Sequence, residues 1–97
     1  MINVEAAHRQ IIKGILDHRI PAFEVRAFGS RVSGTAKPYS DLDLVVMSQT
    51  KLPREVLYGL RDDFEESELP YRIDLLDWNR LSPEFKQAIL SDSEVLR

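Results

Sequence analysis

The seven residues Asp41 to Met47, DLDLVVM, constrain the chain more than any other stretch. As a strand they put Leu42, Leu44 and Val46 on one face and Asp41, Asp43 and Val45 on the other. The first face belongs in a core. The second must stay open or find a counter-charge, because two carboxylates with backbones roughly 6 to 7 Å apart repel one another and are costly to bury unpaired.

The flanking segments supply what can cover the apolar face. Ile11, Ile12, Ile15 and Leu16 recur at helical spacing, which predicts an amphipathic helix over roughly Val4 to Arg19, ending before Pro21. FEVRAF, Phe23 to Phe28, alternates as a strand and stops at Gly29-Ser30, a pair suited to a tight exit into a short helix near Ser30 to Thr35. Gly34 limits that helix, and a loop through Lys37, Pro38 and Tyr39 leads to Asp41. Beyond the DLDLVVM strand, Pro53 fits a first helical position. Val56, Leu57, Leu60 and Phe64 share one side, so this helix should run to about Ser67. YRIDLLDW, Tyr71 to Trp78, is a third strand. Ser82 with Pro83 and Glu84 opens a last helix, expected to bury Phe85, Ala88 and Ile89. The order helix, strand, short helix, strand, helix, strand, helix predicts one α/β (α+β) domain over residues 1–97, with a single small mixed sheet and helices packed on one face.

Composition closes off several function classes. A net charge of −3 argues against a general nucleic-acid binder, which needs a basic face to displace counterions from phosphates. The absence of cysteine removes disulfide frameworks and thiolate metal sites, and fits a reducing, cytoplasmic setting. The N-terminus has charges inside its apolar pattern and so is no signal peptide, and no run is long enough to span a bilayer.

Asp41 and Asp43 on one strand face have two readings: a wet face with solvated carboxylates, or ligands for a hard cation such as Mg²⁺, which takes oxygen ligands and shares them with substrate phosphates. Gly29-Ser30 favours the second. A glycine at a strand end lets the backbone approach a ligand, and the following helix start offers unpaired N–H groups to an anion. Arg31 and Lys37 stand where they can add charge to that cradle, and each also reads as an ordinary surface residue.

The stretch GSRVSGTAKPYSDLDLVV, in which Gly-Ser is followed after ten residues by Asp-x-Asp, resembles the signature of the DNA polymerase β-type nucleotidyltransferases. Its inner residues Gly34, Ala36, Ser40 and Leu44 are similar to the minimal nucleotidyltransferase (MNT) branch. RIDLLDW supplies the aspartate, Asp74, that the family carries on a third strand.

That resemblance implies the polymerase β-like fold and a site in which Asp41, Asp43 and Asp74 bind two Mg²⁺ ions. ATP is the implied substrate, with Gly29, Ser30 and Arg31 holding the nucleotide and Asp74 also activating an acceptor hydroxyl. For the minimal branch it further implies a helical HEPN-type protein partner, often a ribonuclease toxin, to whose tyrosine AMP is transferred so that the chain acts as antitoxin. No direct nucleic-acid contact and no membrane association are expected. Two other classes stay open: a binding module that neutralises its partner without catalysis, and the catalytic half of a two-subunit enzyme acting on a small-molecule hydroxyl.

Asp77 falls on the opposite strand parity from Asp74 and reads as a strand-end or capping residue. Arg72 and Trp78 share the Asp74 face and could touch triphosphate or base, or simply cover the sheet. His8 and His18 show no ligand spacing. DDFEESE, Asp62 to Glu68, reads as a solvated helix end.

Overall fold

A computed structural model describes residues 2–97. The elements run α1 (Ala6–Arg19), β1 (Glu24–Phe28), α2 (Ser30–Ser33), β2 (Leu42–Met47), α3 (Arg54–Glu65), β3 (Ile73–Asp77), a single 3₁₀ turn (Trp78–Arg80), α4 (Pro83–Ser91) and β4 (Ser93–Val95). The four strands form one sheet in the order β3-β2-β1-β4. β1 pairs antiparallel with β2 and β4, whereas β2 and β3 run parallel. The mixed sheet predicted from the sequence is therefore present, and β4 is an addition to it.

Alternation along β2 builds the core as its sequence demands. Leu42, Leu44 and Val46 are fully buried beside Val25 and Ala27 of β1 and Leu75 of β3. Two helices cover this face. α1 brings Ile12 and Leu16, one turn apart, and α3 brings Leu57, Leu60 and Phe64 along one stripe. An Arg19–Asp63 ion pair, Nε to Oδ2 at 2.6 Å, joins the two helices at their rims. The acidic run at the end of α3 is thus only in part a solvated face: one of its carboxylates ties the helices together.

The second sheet face is partly covered by α4. Phe28 points to that face, and the Phe85 ring meets it edge-on with centroids 5.9 Å apart. Ser82 caps α4 as its sequence predicts, accepting from Phe85 N at 3.2 Å, with Pro83 in the first turn. The expected burial is corrected: Ile89 alone of the three is buried, while Ala88 and Phe85 are exposed. One anchor suffices for a nine-residue helix lying over a sheet whose other face holds the main core. The remaining boundaries shift by one or two residues, with Pro53 at the N-cap of α3 instead of its first helical position. Among the described residues no helix is long and apolar enough to cross a membrane.

Candidate active site

The register brings the predicted carboxylates together. Asp43 of β2 lies directly beside Asp74 of β3 in the parallel pair, and Asp41 stands just ahead of β2 on the same parity. Directly opposed residues point to one face, so Asp43 and Asp74 emerge side by side on the face away from the main core. Phe28 of β1 opposes Asp43 from the other side.

Burial first, and then the charges of Asp74 and Asp41, push the Asp43 carboxyl above its ordinary value. Nothing nearby relieves this. Among the described residues no arginine, lysine or histidine comes within ion-pair distance of Asp41, Asp43 or Asp74, although Arg19, Arg26, Arg80 and Arg97 all find carboxylates elsewhere. Nor do these residues include three potential ligands already drawn close enough to chelate an ion unaided. A set of oxygen donors with uncompensated charge on an open face fits a hard divalent cation that brings its own waters or phosphate oxygens.

Gly29 completes the site through its backbone. With φ 78° and ψ −155° it occupies a conformation that is essentially closed to other residues. A β-carbon there would overlap Oδ2 of Asp43. The turn can pass over the carboxylate only because that atom is missing. Val32 and Ser33 both donate to the Gly29 carbonyl at 3.0 Å, and the N–H groups of Ser30 and Arg31 have no partner among the described residues. Gly34 ends the short helix in the left-handed region, as its position suggested.

Arg31 departs from the sequence expectation. Its guanidinium is buried and donates from Nε to Ser40 O (2.9 Å), from Nη1 to Asn3 O (2.9 Å) and from Nη2 to Pro38 O (3.0 Å), while its plane lies 3.9 Å from the Tyr71 ring centroid. That side chain is a clamp on the loop entering β2 and, among the described residues, forms no ion pair with the carboxylates. The sequence gives no sign of this, because all three acceptors are backbone carbonyls, which no pattern of side chains announces. Lys37 remains exposed. Its backbone N–H donates to Ser40 Oγ at 2.8 Å.

Asp77 is buried and collects Ser48 Oγ (3.0 Å), Leu52 N (2.8 Å), Asn79 N (3.1 Å) and Arg80 Nε (3.2 Å). It is the capping residue that parity predicted. Arg72, exposed, borders a concavity of about 480 Å³ beside Asp74, between β3 and α3. Trp78 is half-buried under the Lys86 ammonium at 5.4 Å. His8 packs edge-on against Tyr71, so its role is in the packing around that ring.

A family model described as polymerase beta, nucleotidyltransferase, matches residues 10–97. The chain belongs to that family. As a nucleotidyltransferase it is 43% identical over 88 residues to a Haemophilus influenzae protein named "Probable protein adenylyltransferase MntA", covering 91% of this chain and 77% of that protein. Two solved structures resemble this nucleotidyltransferase at 26% identity. One, a toxin-antitoxin with AMP-PNP, has a TM-score of 0.76 over 92% of this chain and 72% of its own. The other, a tyrosine-to-alanine mutant of an MntA toxin-antitoxin complex, has a TM-score of 0.73 over 96% of this chain and 73% of its own.

Proposed function

We propose that this nucleotidyltransferase moves AMP from ATP, with Mg²⁺, onto a hydroxyl of a protein partner, a tyrosine above all, and thereby serves as the antitoxin of a toxin-antitoxin pair. The observation that carries the reading is the Asp43–Asp74 register pair, with Asp41 beside it and no cationic neighbour among the described residues, under a glycine turn that only glycine can make. The name of the Haemophilus influenzae relative and the AMP-PNP in a structural neighbour support adenylyl transfer. The toxin-antitoxin complexes among the neighbours support a toxin as partner, for which a helical HEPN-type protein is our reading.

Each group then has a task. Asp41, Asp43 and Asp74 would hold two Mg²⁺ ions, which supply positive charge to the triphosphate and to the developing pyrophosphate. The N–H groups at Ser30 and Arg31 would donate to phosphate oxygens, and the backbone of Gly29 keeps the turn close to Asp43. The acceptor oxygen attacks the α-phosphorus in line, the bond to the β-phosphate oxygen breaks, and pyrophosphate leaves with that electron pair. Asp74, at the outer edge of the row, takes the hydroxyl proton.

The test is to incubate the chain and its co-expressed partner with ATP and Mg²⁺ and to record the intact mass of both. A gain of whole AMP units on the partner, absent when Asp41→Asn and Asp43→Asn are combined, is expected. A complex that forms and silences its partner with no mass gain from any nucleoside triphosphate would replace this reading with a non-catalytic binding module.

A further inference from the structure

One row of directly paired residues crosses the sheet on the carboxylate face: Ser93, Phe28, Asp43 and Asp74. Phe28 therefore stands between the carboxylates and α4, with its backbone about 5 Å from that of Asp43 and one residue ahead of Gly29. The next ring outward is Phe85. It meets Phe28 edge-on, at an interplanar angle of 87°, and keeps 42% of its surface in solvent. A phenylalanine left this open forfeits burial that the chain could otherwise use, and Ser82 pins the first turn that presents it.

We infer that Phe85 is the stacking platform for the base of the nucleotide, an inference that rests on the nucleotidyl-transfer reading of the same face. A nucleotide places one sugar ring between its α-phosphorus and its base, and the Phe28 ring is the matching spacer between Asp43 and Phe85. The other aromatic candidates are less suited. Trp78 lies four residues past Asp74, in the 3₁₀ turn beyond the end of β3, and its ring already lies under the Lys86 ammonium. Tyr58 projects from α3, behind the sheet, and Tyr39 borders a separate concavity with Arg31 and Tyr71. Stacking on a ring face requires no particular hydrogen-bond pattern, so Phe85 binds a base without reading its edge.

The experiment compares two ligands by titration calorimetry in Mg²⁺: ATP, and inorganic tripolyphosphate, which has the phosphates but no base. Wild type is expected to bind ATP more tightly than tripolyphosphate. Phe85→Ala should weaken ATP by roughly five- to a hundredfold and leave tripolyphosphate unchanged, with Phe85→Trp restoring ATP and Phe85→Leu failing to. ATP binding unaltered in Phe85→Ala or Phe85→Leu overturns the inference, as does a loss shared equally by both ligands. Wild type binding ATP no better than tripolyphosphate overturns it while the transferase reading stands. Wild type binding neither removes both.

Discussion

Gly29 and Asp43 share one space: the position a β-carbon would take at residue 29 is already filled by the carboxylate of residue 43. Strand exit and carboxylate are thus a single fitted unit. Gly29→Ala must either lift the turn or push Asp43 aside, and it also forces alanine into a positive-φ conformation. The expected cost is about 1–3 kcal/mol of stability. Transfer should fall further than the loss of folded protein explains, since the turn and the carboxylate move apart. Thermal melting and partner mass gain, measured on the same preparation, check both halves.

Asp43 is a liability to the empty fold. Its raised pKa means that the folded chain holds this proton more tightly than the unfolded chain, so above the titration the charge costs stability. The cost disappears as pH falls through the folded value toward the unfolded one near 3.9. Asp43→Asn should therefore melt slightly higher than wild type at pH 7, by less than about 1 kcal/mol given the partial exposure, and the gap should close near pH 4. Mg²⁺ at ten times its dissociation constant should stabilise wild type by about 1.4 kcal/mol and leave Asp43→Asn nearly unmoved. A variant that melts lower than wild type at neutral pH would show that the carboxylate is stabilised by something other than a cation.

The carboxylate row was legible because strand parity is a local property: DLDLVVM and RIDLLDW each declare which residues share a face, and the register then aligns Asp43 with Asp74. What escaped the sequence is non-local. β4, Ser93–Val95, has no apolar alternation of its own and exists because Arg26 to Phe28 offer it a partner edge. Leu96 is buried just past it, and the Arg97 guanidinium bonds to the carbonyls of Ile20 and Phe23, across the chain. Phe85 fits a buried helical position by spacing, yet the helix settles on Ile89. For β4 and for Arg97 the deciding contact comes from a residue distant in the sequence.

Arg31 gives a sharper test of that distinction. A phosphate ligand and a loop clamp both predict lost activity on substitution, but only the clamp predicts lost stability. Removing the guanidinium strands three carbonyls and bares the Tyr71 ring, so Arg31→Ala should lose about 2–4 kcal/mol. Lysine cannot reproduce a planar fork that reaches three acceptors, and Arg31→Lys should recover less than half of the loss. Chemical denaturation measures both. An Arg31→Ala chain as stable as wild type would return the residue to the nucleotide.

Two aspartates three residues apart on β3 should respond in opposite ways. Asp77 accepts from the Leu52 and Asn79 N–H groups and from Ser48 Oγ, so Asp77→Ala removes the acceptor of these donors and leaves the Arg80 charge uncompensated. A loss of about 3–5 kcal/mol is expected, enough to unfold a marginal domain. Asp74 is exposed and has no such partners among the described residues, so Asp74→Asn should melt within about 0.5 kcal/mol of wild type while transfer falls by at least about a hundredfold. Melting curves and mass gain for the two variants separate the roles directly. Asp74→Asn retaining transfer would put proton acceptance elsewhere, and Asp77→Ala retaining full stability would mean that the network around Ser48 and Leu52 holds without its anion.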